Sequence, residues 1–321
     1  MTTIRGALAS AALAAGMLTA IAAPPARAQV KLEHKFPEGQ KLTYSSGLKI
    51  HRMLTVAGME YPVDVDQVVT ITRSIGRRAA DQTLSIAEKI ETFRSELTLP
   101  GNIRIAFDSK DGKLETDEKD LEYLGEIFRF LPGIEYTVVL DARNGVKAIE
   151  GAEKLQEKAE KLDARVRDAM KARLSAEKLR TRFDQELQIL PDVLARPGEP
   201  WERTGLTEVV DMELEFRRKY EYVGTVKKGD RELDKIIVHA TGATYRDDPN
   251  AQAPLKVTKA ELKVESSEGT ILFDRMAGRV VSDREKVRIK GTLTLSAQGQ
   301  EFPGELDATI ETDQELQAPP R

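Results

Sequence analysis

The chain has 321 residues, 40% of them hydrophobic and 32% charged, with 49 Lys and Arg against 53 Asp and Glu. That composition excludes a disordered or collagen-like chain, and the mild acidity argues against nucleic acid as the main partner. Cysteine is absent, which excludes disulfide frameworks, thiolate metal sites, cysteine nucleophiles and lipid attachment through a cysteine.

Residues 1–28 read as a secretory signal. Arg5 supplies the positive start, Ala7 to Ala23 is an apolar run, and Ala26 and Ala28 occupy the small-residue positions before cleavage. The run is short for a membrane span, and Pro24 and Pro25 end it. No later stretch approaches the ~18 apolar residues of a spanning helix, so no span is expected after signal removal. The expected location is the periplasm or the extracellular space.

Residues 29–149 read as a β-rich block with one short helix. Val63, Val65, Val69 and Ile71 alternate, as do Leu84, Ile86 and Ile90. Between 84 and 99 the parity changes, since Phe93, Leu97 and Leu99 fall on the other phase. A β-bulge or bend near Thr92 would restore one apolar face. A short helix is expected around Glu118–Leu131, with Leu121, Leu124, Phe128 and Leu131 on one side.

Residues 150–192 form a helical segment. No glycine or proline interrupts Ala152 to Leu190. Leu155, Ala159, Leu162, Val166, Ala169 and Leu174 recur at helical spacing. Ser175 followed by Glu177 marks an N-cap, and Leu179, Phe183, Leu187 and Leu190 continue until Pro191. Two helices, or one bent helix, are expected.

Residues 193–315 read as a second β-rich block, followed by a flexible tail at 316–321. Trp201 opens the block, either as a packing aromatic or as a ligand contact. From Val210 the apolar residues Met212, Leu214, Phe216, Tyr220 and Tyr222 alternate with charged ones, interrupted on the apolar side by Arg218. This is the pattern of a long, half-solvated antiparallel strand. Residues 245–254 form a polar loop. Leu262 and Val264, and then Val287, Ile289, Leu293 and Leu295, continue the alternation.

A weak repeat links the blocks. Phe107-Asp108 to Gly112 and Phe273-Asp274 to Gly278 share F-D-x-x-x-G, and Asp141 to Gly145 shares D-x-x-x-G. Asp bonds the turn backbone and the closing glycine supplies positive φ, so these read as hairpin turns rather than calcium loops. The fold class is α+β, mainly β. Two related antiparallel blocks, as an open half-barrel or curved sheets, surround a central helical segment.

Chemistry is sparse. His34, His51 and His239 are far apart in sequence, and no H-E-x-x-H, G-x-S-x-G, P-loop or G-x-G-x-x-G occurs. Ser46–Lys49 and Ser175–Lys178 match S-x-x-K only formally. No catalytic residue, cofactor or metal is expected, and the chain does not read as an enzyme.

Three stretches look familiar: Phe36-Pro37-Glu38-Gly39-Gln40-Lys41-Leu42-Thr43-Tyr44; Leu131-Pro132-Gly133 with Tyr136 to Asp141, Gly145 and Val146; and Leu190-Pro191-Asp192 with Pro197-Gly198-Glu199-Pro200-Trp201. Together they resemble a family of exported bacterial proteins classed as a domain of unknown function. The resemblance implies a β-rich envelope protein and no catalytic residues. Some members of that family are lipoproteins, from which this cysteine-free chain departs. The functional expectation is a non-catalytic envelope module that docks an unknown envelope protein. The alternatives are a periplasmic half-barrel carrying a lipid or other apolar small molecule, and a hydrolase with an unrecognised carboxylate site.

Overall fold

The computed structural model describes residues 29–210, 212–247, 256–297 and 299–318. The signal segment with Ala26 and Ala28, and most of the polar 245–254 loop, lie outside the described residues. In chain order the strands are β1 (Lys41–Val56), β2 (Met59–Ile75), β3 (Leu84–Leu99), β4 (Ile103–Asp108), β5 (Lys113–Thr116), β6 (Glu135–Leu140), β7 (Val146–Glu150), β8 (Pro200–Val209), β9 (Met212–Lys228), β10 (Arg231–Arg246), β11 (Lys256–Asp274), β12 (Arg279–Ala297) and β13 (Gln300–Leu316). The helices are α1 (Leu124–Phe130), α2 (Ala152–Ala159), α3 (Ala164–Arg173) and α4 (Ala176–Gln188).

All thirteen strands join one antiparallel sheet in the order β5-β4-β3-β2-β1-β13-β12-β11-β10-β9-β8, with β6 and β7 branching from β3. The two blocks are therefore continuous. The seam is the pairing of β1 with β13, which runs without a register shift from Tyr44↔Leu316 to Val56↔Gly304. Long alternation gives long strands: β11 and β12 each have 19 residues.

The sheet stays open and curls. Register shifts interrupt β9–β10 twice and β11–β12 three times. Each bulge sharpens the local twist and bends its strand. The curl carries the β8–β9 turn towards the first strands, so Val210 packs against the same buried core as Ile50, Val65 and Ile310.

The parity change in β3 is a bulge. Thr70 pairs with Thr92 and Ile71 with Ile90, leaving Glu91 unpaired in that register. The extra residue keeps Leu84, Ile86, Phe93 and Ser95 buried on one face. It also marks a fork. Before it β3 pairs with β6, and after it with β4.

The structure differs from the sequence reading in several details. The helical segment holds three helices, not two. Asp163 caps α3 by accepting from Arg165 N at 2.9 Å, while its own N–H donates to Glu126 Oε2 of α1 at 2.8 Å. That tertiary contact stabilises a break that no glycine or proline announces. The expected cap at Ser175 is present, accepting from Lys178 N at 3.2 Å. Within α3, Ala169 is exposed and Met170 takes the buried position four residues after Val166.

Val210 is not the first residue of a strand. It sits in the β8–β9 turn with φ +59°, a strained conformation for a β-branched residue. The expected helix at 118–131 divides into a 3₁₀ turn, Lys119–Leu121, and α1. The repeat motifs do form Asp-anchored turns. Asp108 and Asp274 carboxylates accept from Lys110 N at 2.8 Å and Ala277 N at 2.9 Å. In the third motif Asn144, not Gly145, takes the left-handed φ of 64°.

Helix α4 closes what the strands leave open. It packs on β7 at one margin of the sheet, through the core that Leu179 and Phe183 share with Val146. It covers β8 at the other. Arg203 donates to Gln188 O at 2.6 Å and to Leu190 O at 2.9 Å. With its amide oxygen and nitrogen exchanged, the orientation that satisfies both, Gln185 bonds the Leu206 backbone like a neighbouring strand, at 3.1 and 3.2 Å. Covering an edge in this way blocks pairing with another chain there.

Candidate functional site

The fork in β3 leaves space that side chains do not fill. A cavity of about 400 Å³ lies between the inner face of β1–β4 and the helices. Its floor comes from alternating positions, including Ile50, Val65, Ile71, Phe93 and Leu97; its roof comes from Leu124, Ile127, Phe128 and Leu131 of α1, with Met170, Leu174 and Leu179. Phe93, Phe107 and Phe128 pack together on one side, with ring centroids 5.6 to 6.4 Å apart. The volume falls within the range of small-ligand sites, and an apolar lining with few polar groups is their usual character.

A belt of charge crosses the interior beside this cavity. Arg73 Nε donates to Glu88 Oε2 at 3.0 Å, and Arg73 Nη2 lies 2.7 Å from Glu186 Oε2 of α4. Its guanidinium also lies 5.4 Å from the Tyr44 ring centre and 5.3 Å from that of Phe183. Tyr136 donates to Glu88 Oε1 at 2.9 Å, and burial followed by the Glu88 charge pushes its phenol well above the usual value. Across a smaller polar pocket of about 240 Å³, Arg218 Nε bonds both Glu285 oxygens at 3.0 Å. Next to that pair, burial and then the Glu285 charge push Asp283 up to about 7. His34 packs between Phe36 and Phe273, and burial followed by the Arg73 charge lowers it to about 4.

The residues singled out in the sequence do not converge. Trp201 stacks on Tyr220 with centroids 5.7 Å apart and donates Nε1–H to Ile189 O at 2.9 Å; it is a packing residue away from the cavity wall. His51 contacts Asp64, and His239 contacts Ser267 O at 2.8 Å, on different parts of the sheet. Sequence reasoning missed Arg182 and Arg173 at the cavity, because charged residues on a helix read as a solvated face. It did register Arg218, as the interruption of an apolar phase.

A family model matches residues 81–280. The chain belongs to this family, a family of unknown function (DUF6263). The matched span runs from the β2–β3 loop to the start of β12, and so includes the fork, the helices and β8–β11. Among solved structures, lipovitellin aligns at TM-score 0.47 with 11% identity, over 88% of this DUF6263 chain and 26% of lipovitellin. The chain thus spans about a quarter of that protein. An outer membrane channel from Pseudomonas putida F1 aligns at TM-score 0.22 with 6% identity, over 89% of this chain and 98% of the channel. A DUF1329 family protein from Desulfovibrio piger aligns at TM-score 0.14 with 10% identity, over 87% of both chains. No curated protein gives a significant match.

Proposed function

We propose that this DUF6263 protein is an exported, non-catalytic binding protein that holds an apolar ligand, of the size of one acyl chain, between its curled sheet and its helices. One observation carries the reading: a partly enclosed cavity of about 400 Å³ between sheet and helices, walled mainly by apolar side chains. If each methylene takes about the ~30 Å³ that a water molecule takes in the liquid, the space suits roughly a dozen carbons. The pattern of residues 1–28 supports export. Docking of a protein partner by strand addition at β8 has less support, because α4 already covers that edge.

The test is titration of the purified chain with N-phenyl-1-naphthylamine, an uncharged probe that fluoresces in apolar surroundings. The expected result is saturable enhancement that Leu97→Trp abolishes while the fold is retained by circular dichroism. Leu97 is on the cavity wall, so the larger ring takes the ligand's place. No saturable uptake, or uptake unchanged in Leu97→Trp, overturns the proposal.

A further inference from the structure

The cavity has a charged mouth. Among its lining residues Arg173, Arg182 and Glu208 are exposed, and Lys89 keeps 43% of its side chain accessible. A residue that is both cavity wall and solvent-exposed marks where the cavity opens. These residues place the opening between α3, α4 and the end of β8.

Most charges at this opening are answered. Arg173 Nε lies 3.1 Å from Glu208 Oε2. Lys89 Nζ donates to Glu91 Oε2 at 2.7 Å. Glu88 is held by Tyr136 and Arg73, and Glu186 by Arg73. Arg182 differs. It makes no hydrogen bond or ion pair with another described residue. It lines both the apolar cavity and the neighbouring pocket under α4. A guanidinium without a hydrogen-bonded partner at the exposed rim of an apolar cavity matches the boundary within an amphiphile. Its planar fork presents paired N–H donors suited to a carboxylate or phosphate group.

We propose, resting on the binding function above, that the ligand is an anionic single-chain amphiphile whose chain fills the cavity and whose head group is held at the mouth by Arg182. The head stays partly hydrated there, so the contribution of Arg182 is that of a partly exposed ion pair.

The experiment displaces N-phenyl-1-naphthylamine with three ligands of equal chain length: dodecanoate, dodecan-1-ol and dodecyltrimethylammonium. Dodecanoate is expected to bind tightest. Arg182→Gln should weaken dodecanoate about fivefold and leave dodecan-1-ol unchanged, in keeping with a partly exposed ion pair. Added salt should weaken dodecanoate alone. Equal affinity for acid and alcohol, preference for the cationic ligand, or an acid affinity untouched by Arg182→Gln overturns the head-group assignment while the cavity reading stands. If the probe itself binds nowhere, the binding function falls, and this assignment with it.

Discussion

Asp283 tests whether the charged belt is as enclosed as the geometry shows. It lies on the inner face of β12, two residues from Glu285 and beside the polar pocket under α4. Burial, the Glu285 charge and the Glu186 charge all raise it, against Arg218, from 3.8 to about 7. A carboxyl whose folded value lies above its unfolded value holds its proton more tightly when folded. Its stabilising contribution is complete below pH ~4, is lost as pH rises towards 7, and is absent above that. Three units correspond to at most about 4 kcal/mol. Asp283→Asn imitates the protonated form at every pH. Urea denaturation should therefore find the variant more stable than the parent at pH 8 by up to about 4 kcal/mol, and within about 1 kcal/mol of it at pH 4. His34 acts in the opposite sense. Its value falls from 6.5 to about 4, so it removes stability as pH drops through that window. Between pH 4 and 6.5 these two contributions offset each other in the parent, whereas Asp283→Asn exposes the His34 slope. A difference between variant and parent that does not change from pH 4 to 8 refutes the enclosed belt.

Arg73 should be costly to remove alone. Arg73→Met leaves Glu88 buried without its cation, and chemical denaturation should show a loss of about 3–5 kcal/mol. Adding Glu88→Gln should recover part of that loss, since the two residues act as a unit. On β12, opposite β11, Gly291→Ala would put its Cβ into the Glu261 carbonyl and 2.9 Å from Leu262 Cα. Thermal melts should show a loss of at least about 1–3 kcal/mol. At the β1–β2 turn Gly58 has open space but φ +81°, so Gly58→Ala should cost only about 1 kcal/mol.

The sheet was legible because its signal is local. Alternation reports which face is wet, and a half-solvated antiparallel sheet shows it along every strand. Even the departures carried information. The phase change between Ile90 and Phe93 is the bulge at Glu91, and Arg218 on the apolar phase is the inward ion pair with Glu285. What was illegible depends on contacts distant in sequence. The α2–α3 break is held by Glu126 of α1, and the pairing of β1 with β13 joins the two ends of the described chain. The β8–β9 turn was hidden because Val209, Val210 and Met212 are all apolar, so the pattern ran through it. An apolar-ligand half-barrel was one expectation, but the place and walls of the cavity could not be read. Its wall residues are those that an ordinary core would use, and emptiness has no sequence signature.

The fork explains why this core is not filled. At the bulge, Ile90 N–H donates to Ile134 O at 2.9 Å and its carbonyl accepts from Gly133 N at 2.8 Å, while Phe93 N–H is taken by Ser109 Oγ at 2.9 Å. The backbone of β3 thus hands its hydrogen bonds from one partner to another within a few residues. Between the two branches the chain must travel from β5 to β6, and it does so through α1. Seven residues make a helix of only about 10 Å, enough to roof the fork and too little to occupy it. Protein interiors are as a rule close-packed, and a void lined by Phe, Leu and Ile forfeits dispersion contacts. Under the proposed binding function, a ligand chain restores them. The bulge, the branch in the sheet and the short α1 are therefore one device, in which hydrogen-bond satisfaction along β3 forces the opening.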